Sequence, residues 1–97
     1  MRVIALKKLR DFWTDHADAE MALRAWYTDA RQSVWLSPED IKRIYRTASF
    51  VGGDRVVFNI RGNTYRLIVM VNYETQIVYV RFVGTHAEYD KVNAEVI

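Results

Sequence analysis

Cysteine is absent from the 97 residues, so neither a disulfide framework nor a thiolate metal site is available, and a reducing cytosol suits the chain. Histidine occurs only at His16 and His86, too few for a histidine-rich metal centre. Proline occurs once and glycine four times, which sets the chain apart from linkers and disordered segments. No apolar run approaches a membrane span. The opening MRVIALKKLRDFW breaks its apolar stretch with charge after Leu6, too early for the core of a secretory signal. A glycine-rich phosphate loop and paired catalytic carboxylates are missing too, which weakens any reading as a small-molecule enzyme. With no internal repeat and no linker, residues 1–97 are expected to form one domain.

Hydrophobic residues make up 51% of the chain and aromatic residues 13%, enough for a core. The net charge of +2 permits an acidic partner without demanding one. The informative question is therefore where the charges sit.

Arg2 to Ala5 reads as a short opening strand, followed by Leu6, Leu9, Phe12 and Trp13 at helical spacing. Asp18 is placed to cap a second helix whose stripe is Ala19, Leu23, Trp26 and Ala30. The run Ser37-Pro38-Glu39-Asp40 marks the start of a third, shorter helix reaching about Arg46. After Gly52-Gly53 the period changes from helical to alternating, and Arg55 to Ile60, Thr64 to Asn72 and Ile77 to Gly84 read as strands. Gly62-Asn63 suits a tight turn between the first two strands, and Thr85 is placed to cap a short C-terminal helix. The expected class is α+β, with N-terminal helices packed on one face of an antiparallel sheet.

Pairing Arg61 with Thr64 and Asn72 with Ile77 sets the register. One face then carries Val56, Phe58, Ile60, Tyr65, Leu67, Val69, Val71, Val78, Val80 and Phe82, and must meet the helices. The other carries Arg55, Val57, Asn59, Arg61, Arg66, Ile68, Met70, Asn72, Tyr79 and Arg81. Four arginines there, with a tyrosine and two asparagines, offer planar donors for phosphate oxygens and a ring for stacking a base, as an RNA-binding surface requires. Ile68 and Met70 are unusually apolar for a face in water, which suggests a covered groove or a partner. At the end of the last strand, His86 brings a side chain type that exchanges protons near neutral pH. Tyr89 follows about one helical turn later on the same side, and Lys91 adds positive charge.

The segments DAEMALRAWY, SPEDIKRIYRTASF, VVFNIRGNTYRL and VYVRFVGTHAEYDKV resemble the HigB family of bacterial toxins, within the RelE-like superfamily. The resemblance implies a RelE-like fold and toxicity through ribosome-dependent endonucleolytic cleavage of messenger RNA. It also implies a HigA-type antitoxin carrying a helix-turn-helix domain, and a cytoplasmic location. RelE-like toxins place an arginine mid-sheet in a tyrosine-arginine-leucine context, matched here by Tyr65-Arg66-Leu67. Their second cluster, a basic or histidine residue with a tyrosine after the last strand, is matched by His86 and Tyr89. The lysines that some relatives carry before the middle strand have no equivalent here; that hairpin offers Arg55, Asn59 and Arg61 instead.

The mechanism expected is transesterification without metal or cofactor, in which the RNA 2′-hydroxyl attacks the adjacent phosphate and the chain breaks at the 5′-oxygen. Arg66 and Arg81 would stabilise charge, His86 would carry a proton, and Tyr89 would orient a base or the phosphate. Arg55, Asn59, Arg61, Asn72, Tyr79 and Lys91 are candidates for holding RNA. The alternative is a non-catalytic module that binds RNA or an acidic protein segment through the same face.

Overall fold

The computed structural model describes the whole chain, Met1 to Ile97. Strand β1 (Arg2–Ile4) leads into helix α1 (Leu6–Asp15), a turn of 3-10 helix at Ala17–Ala19, helix α2 (Glu20–Gln32) and helix α3 (Pro38–Ile44). Strands β2 (Ser49–Val51), β3 (Arg55–Ile60), β4 (Tyr65–Asn72) and β5 (Ile77–Thr85) follow, and helix α4 (His86–Tyr89) comes after them. The sheet order is β1-β5-β4-β3-β2. From β2 to β5 it is an antiparallel meander, and β1 joins the β5 edge in parallel, so the sheet as a whole is mixed. Nearly the whole domain separates β1 from β5, so no hairpin imposes the antiparallel sense on that pair.

The helices bury Leu9 and Trp13 of α1 with Leu23, Trp26 and Ala30 of α2, the stripes their spacing predicts. These meet Val56, Phe58 and Ile60 of β3, Leu67, Val69 and Val71 of β4, and Val78 and Val80 of β5. Phe58 lies at the centre of an aromatic group. Trp26 meets it edge-on at 5.4 Å, Tyr45 edge-on at 5.1 Å, and Trp35 more nearly parallel at 6.4 Å. Each such pair contributes about 0.5–1.5 kcal/mol beyond the area it buries.

Two helix starts lack the side-chain cap that their sequence offers, Asp18 before α2 and Ser37 before α3. Asp18 does not cap α2; its carboxylate accepts the Tyr65 hydroxyl at 2.5 Å and pairs with Arg61 at 3.4 Å, while Ala19 holds the cap position. Ser37 makes no side-chain cap either, and Asp40 instead accepts from the Leu36 N–H at 2.9 Å. Helix α3 ends at Ile44, short of Arg46, and Tyr45 beyond it gives its hydroxyl to Asp29 at 3.0 Å.

The register matches expectation through most of the sheet. The Thr64 N–H donates to the Arg61 carbonyl at 3.2 Å, and Asn72 lies opposite Ile77. It shifts once. Val69 faces Val80 but Ile68 faces Phe82, so Arg81 is the extra residue of a β-bulge. Every side chain beyond it therefore changes face. Phe82, expected in the core, joins Ile68 on the outer face, and Val83 packs against the core opposite Leu67.

Val57 and Ile68 face each other on the outer side, and both are buried although neither belongs to the main core. On the rows either side of them, Tyr89 meets Arg66 and the Ile97 carbonyl accepts from Arg55. The chain's last residues thus approach this apolar strip from the rows on both sides of it.

Candidate functional site

Arg66 points outward near the start of β4, opposite Asn59 of β3 and Gly84 of β5. Gly84 is buried in a tight corner, where a Cβ would stand 2.5 Å from the tip of the Phe82 ring and 3.0 Å from Glu88 Oε1. The absence of a side chain there lets Phe82 and Glu88 close in beside Arg66. The turn before β4 has Arg61 and Gly62 at positive φ, 52° and 64°. Glycine adopts this conformation without strain, and the residue after it, Asn63, is carried over the end of the sheet. Arg66 Nη1 donates to Asn63 Oδ1, and the guanidinium carbon lies 5.6 Å from the centre of the Tyr89 ring. His86 approaches the same turn from the other side, its Nε2 donating to the main-chain carbonyl of Asn63.

Helix α4 has only four residues, and its start is fixed by a capping box. Glu88 N–H donates to Thr85 Oγ1 at 3.2 Å, and Thr85 N–H donates to Glu88 Oε1 at 2.9 Å. The Thr85 cap expected from sequence is therefore present. The bond from the Thr85 backbone holds the Glu88 carboxyl below its ordinary range, the Thr85 hydroxyl, His16 and Lys91 act in the same direction, and slight desolvation of this exposed group opposes them. By fixing the first turn, the box determines how His86 and Tyr89 are presented.

Arg66, His86 and Tyr89 therefore converge, with Asn59 directly across the strand from Arg66. Arg81 is not held with them. Displaced by the bulge, its guanidinium lies 5.4 Å from the Tyr79 ring centre, its Nε is buried with no hydrogen-bond partner, and its carbonyl accepts from Lys8 at 3.2 Å. Arg81 and Tyr79 line a groove of about 480 Å³ between α1 and β5, together with Lys7, Lys8 and Asp11. Lys91 lies in the exposed turn after α4, its N–H on the Glu88 carbonyl at 3.2 Å.

Three candidates for holding RNA are engaged elsewhere. Arg61 belongs to the turn instead of the outer strand face, and pairs with Asp18. Arg55 donates to the Gly53 carbonyl at 2.6 Å and to the Ile97 carbonyl at 2.7 and 3.1 Å. Asn72 closes the β4–β5 turn, its Oδ1 accepting from Glu74 and Thr75 N–H at 3.1 Å. It lies six residues along the strand from Arg66, roughly 20 Å at strand rise.

Sequence reading did not single out Asn63, Glu88 or His16 as parts of this region. Gly62-Asn63 signals a turn, which conceals what the asparagine touches. His16 stacks on Phe12 with ring centres 4.1 Å apart and meets Tyr65 edge-on at 5.6 Å. The Tyr65 hydroxyl, bonded to Asp18, is held above its ordinary range chiefly by that bond, so it stays protonated and belongs to the support of the site.

A planar cation, an imidazole and a phenol around one exposed turn can bind a phosphate and move a proton beside it. The profile of a family described as the HigB toxin, the RelE-like toxic component of a toxin-antitoxin system, matches residues 19–92. The mRNA interferase toxin HigB of Escherichia coli strain K12 is 33% identical over 92 residues, covering 93% of this chain and 88% of the relative. The proteins named mRNA interferase HigB from Escherichia coli O157:H7 and Shigella flexneri match to the same extent.

Proposed function

Since this chain belongs to the HigB family of RelE-like toxic components, we propose that it is an mRNA interferase, cutting messages on the ribosome by metal-independent transesterification. The observation that carries the reading is the meeting of Arg66, His86 and Tyr89 around the Asn63 turn. The RNA 2′-hydroxyl loses its proton and attacks the adjacent phosphorus. The bond to the 5′-oxygen breaks, that oxygen takes up a proton, and the products are a 2′,3′-cyclic phosphate and a 5′-hydroxyl. Negative charge grows on the phosphate oxygens, where the guanidinium of Arg66 supplies planar, charge-assisted donors. His86 carries one of the two protons, and Tyr89 holds the Arg66 fork in place through its ring. Asn59 and Lys91 flank this centre as weaker RNA contacts.

Arg81 takes a different part, neutralising RNA backbone along the groove with Lys7 and Lys8, at a distance from the reacting phosphate. The partner that restrains the toxin is a HigA-type helix-turn-helix antitoxin, and the setting is the cytoplasm, where translating ribosomes supply the substrate. Induced expression of the chain alone should arrest growth and fragment translated messages, and co-expression of the adjacent antitoxin should restore growth. Normal growth with abundant soluble protein would contradict the reading.

A further inference from the structure

We infer that Asn63 is the positioning residue of this site, aiming Arg66 with its side chain and fixing the proton of His86 with its main chain, so that Nδ1 is the nitrogen His86 presents to RNA. The inference rests on the ribonuclease reading above and names the parts that make that site work.

Asn63 touches both reacting side chains through different oxygens. Its amide oxygen accepts from Arg66 Nη1, and its carbonyl oxygen accepts from His86 Nε2. Arg66 belongs to β4 and His86 to α4, so this turn residue links two side chains that are 20 positions apart in sequence. A long arginine side chain has many rotamers, and holding it in one geometry requires partners on more than one side. Here the amide holds one nitrogen and the Tyr89 ring lies against the guanidinium carbon. The remaining N–H groups of the fork are left for a phosphate.

The main-chain contact determines the tautomer. A carbonyl oxygen only accepts, so the hydrogen of this bond is on Nε2, and in the neutral ring Nδ1 is bare. Nδ1 is then the atom that takes a proton from the 2′-hydroxyl or, once charged, gives one to the departing 5′-oxygen. Side-chain substitutions at residue 63 leave the carbonyl in place, so they should disturb Arg66 and spare the tautomer. That separation distinguishes positioning from a general role in the turn.

The test has two arms. In the first, single-turnover cleavage on programmed ribosomes is compared for wild type, Asn63→Ala and Asn63→Gly, glycine serving as the variant that suits a turn of any φ. Both should melt within about 2 °C of wild type and need a similar toxin concentration for half-maximal rate. Their cleavage rate constant should fall roughly tenfold to a hundredfold, the scale of a misaimed catalytic group. A rate within about twofold of wild type, or a loss confined to affinity, would overturn the assignment. In the second arm, long-range proton–nitrogen NMR correlations on wild-type protein read the His86 tautomer without any cleavage. A neutral ring protonated on Nε2 is expected, and one protonated on Nδ1 would overturn the claim. Wild-type protein that cleaves nothing would count against the ribonuclease reading, and the NMR result would still decide the tautomer.

Discussion

The guanidinium carbon of Arg66 lies 5.6 Å from the centre of the Tyr89 ring, joining the middle of the sheet to the helix that follows its last strand. The two residues are 23 positions apart, and the contact depends on β4 and β5 being paired so that Gly84 lies opposite Arg66. A ring facing a partly exposed cation contributes about 1 kcal/mol, and about fivefold in rate if the whole effect reaches the transition state. Tyr89→Phe keeps the ring and should retain most of the cleavage rate, whereas Tyr89→Ala should lose about that factor. Equal, severe losses in both variants would instead assign the work to the phenol hydroxyl.

Neighbouring residues on β4 should separate activity from stability. Arg66 is half-buried on the outer face, and Leu67 is fully buried beneath the helices. Arg66→Ala should abolish toxicity with a change in stability of about 0.5 kcal/mol or less. Leu67→Ala should cost about 2–5 kcal/mol through the cavity it leaves. Urea denaturation of the purified variants, alongside growth assays, measures both; an unfolded Arg66→Ala with a stable Leu67→Ala would reverse the faces of the strand.

The capping box gives a dependence on pH. The Glu88 carboxyl is held below its ordinary value of 4.5 in the folded protein, so its contribution is present above that value and is lost as pH falls through the lower, folded one. The melting temperature of wild type should exceed that of Glu88→Ala at neutral pH, and the gap should close on acidification. Thr85→Ala removes the capping hydroxyl and should cost about 0.5–2 kcal/mol. A gap that stays constant through the carboxylate range would mean that Glu88 does not act through its charge.

Much of this arrangement is legible in the sequence. Alternation from Val56 to Val80 assigns the core face correctly, because the Gly62-Asn63 turn and the Asn72–Ile77 pairing fix the register on both sides of β4. Thr85 is recognisable as a cap, since a hydroxyl with glutamate three residues later is a local pattern. The bulge is not legible. One unpaired residue in Val80-Arg81-Phe82 exchanges the faces of everything after it, and no residue there marks it in the way a glycine or proline would. Strand β2, at Ser49–Val51, is equally hidden, being three residues long and formed only by pairing with β3. The engagement of Arg55 by Ile97 and of Arg61 by Asp18 involves contacts too distant in sequence for any local pattern to announce.

Arg81 gives a prediction that sets groove apart from centre. Arg81→Ala, or Lys8→Glu beside it, should raise the toxin concentration needed for half-maximal cleavage while leaving the rate at saturation nearly unchanged, as removal of uniform binding does. Arg66→Ala should depress the saturated rate. If Arg81→Ala instead abolishes the saturated rate, Arg81 belongs at the scissile phosphate after all.

The most direct measurement uses programmed ribosomes carrying a message with a single 2′-deoxy nucleotide at the mapped cleavage position, compared with the all-ribose message. The account predicts that the all-ribose message is cut by wild type, leaving a 2′,3′-cyclic phosphate, and that the deoxy message stays intact because the attacking hydroxyl is gone. It also predicts that Arg66→Ala cuts neither. Equal cleavage of both messages by wild type would contradict transesterification at this site.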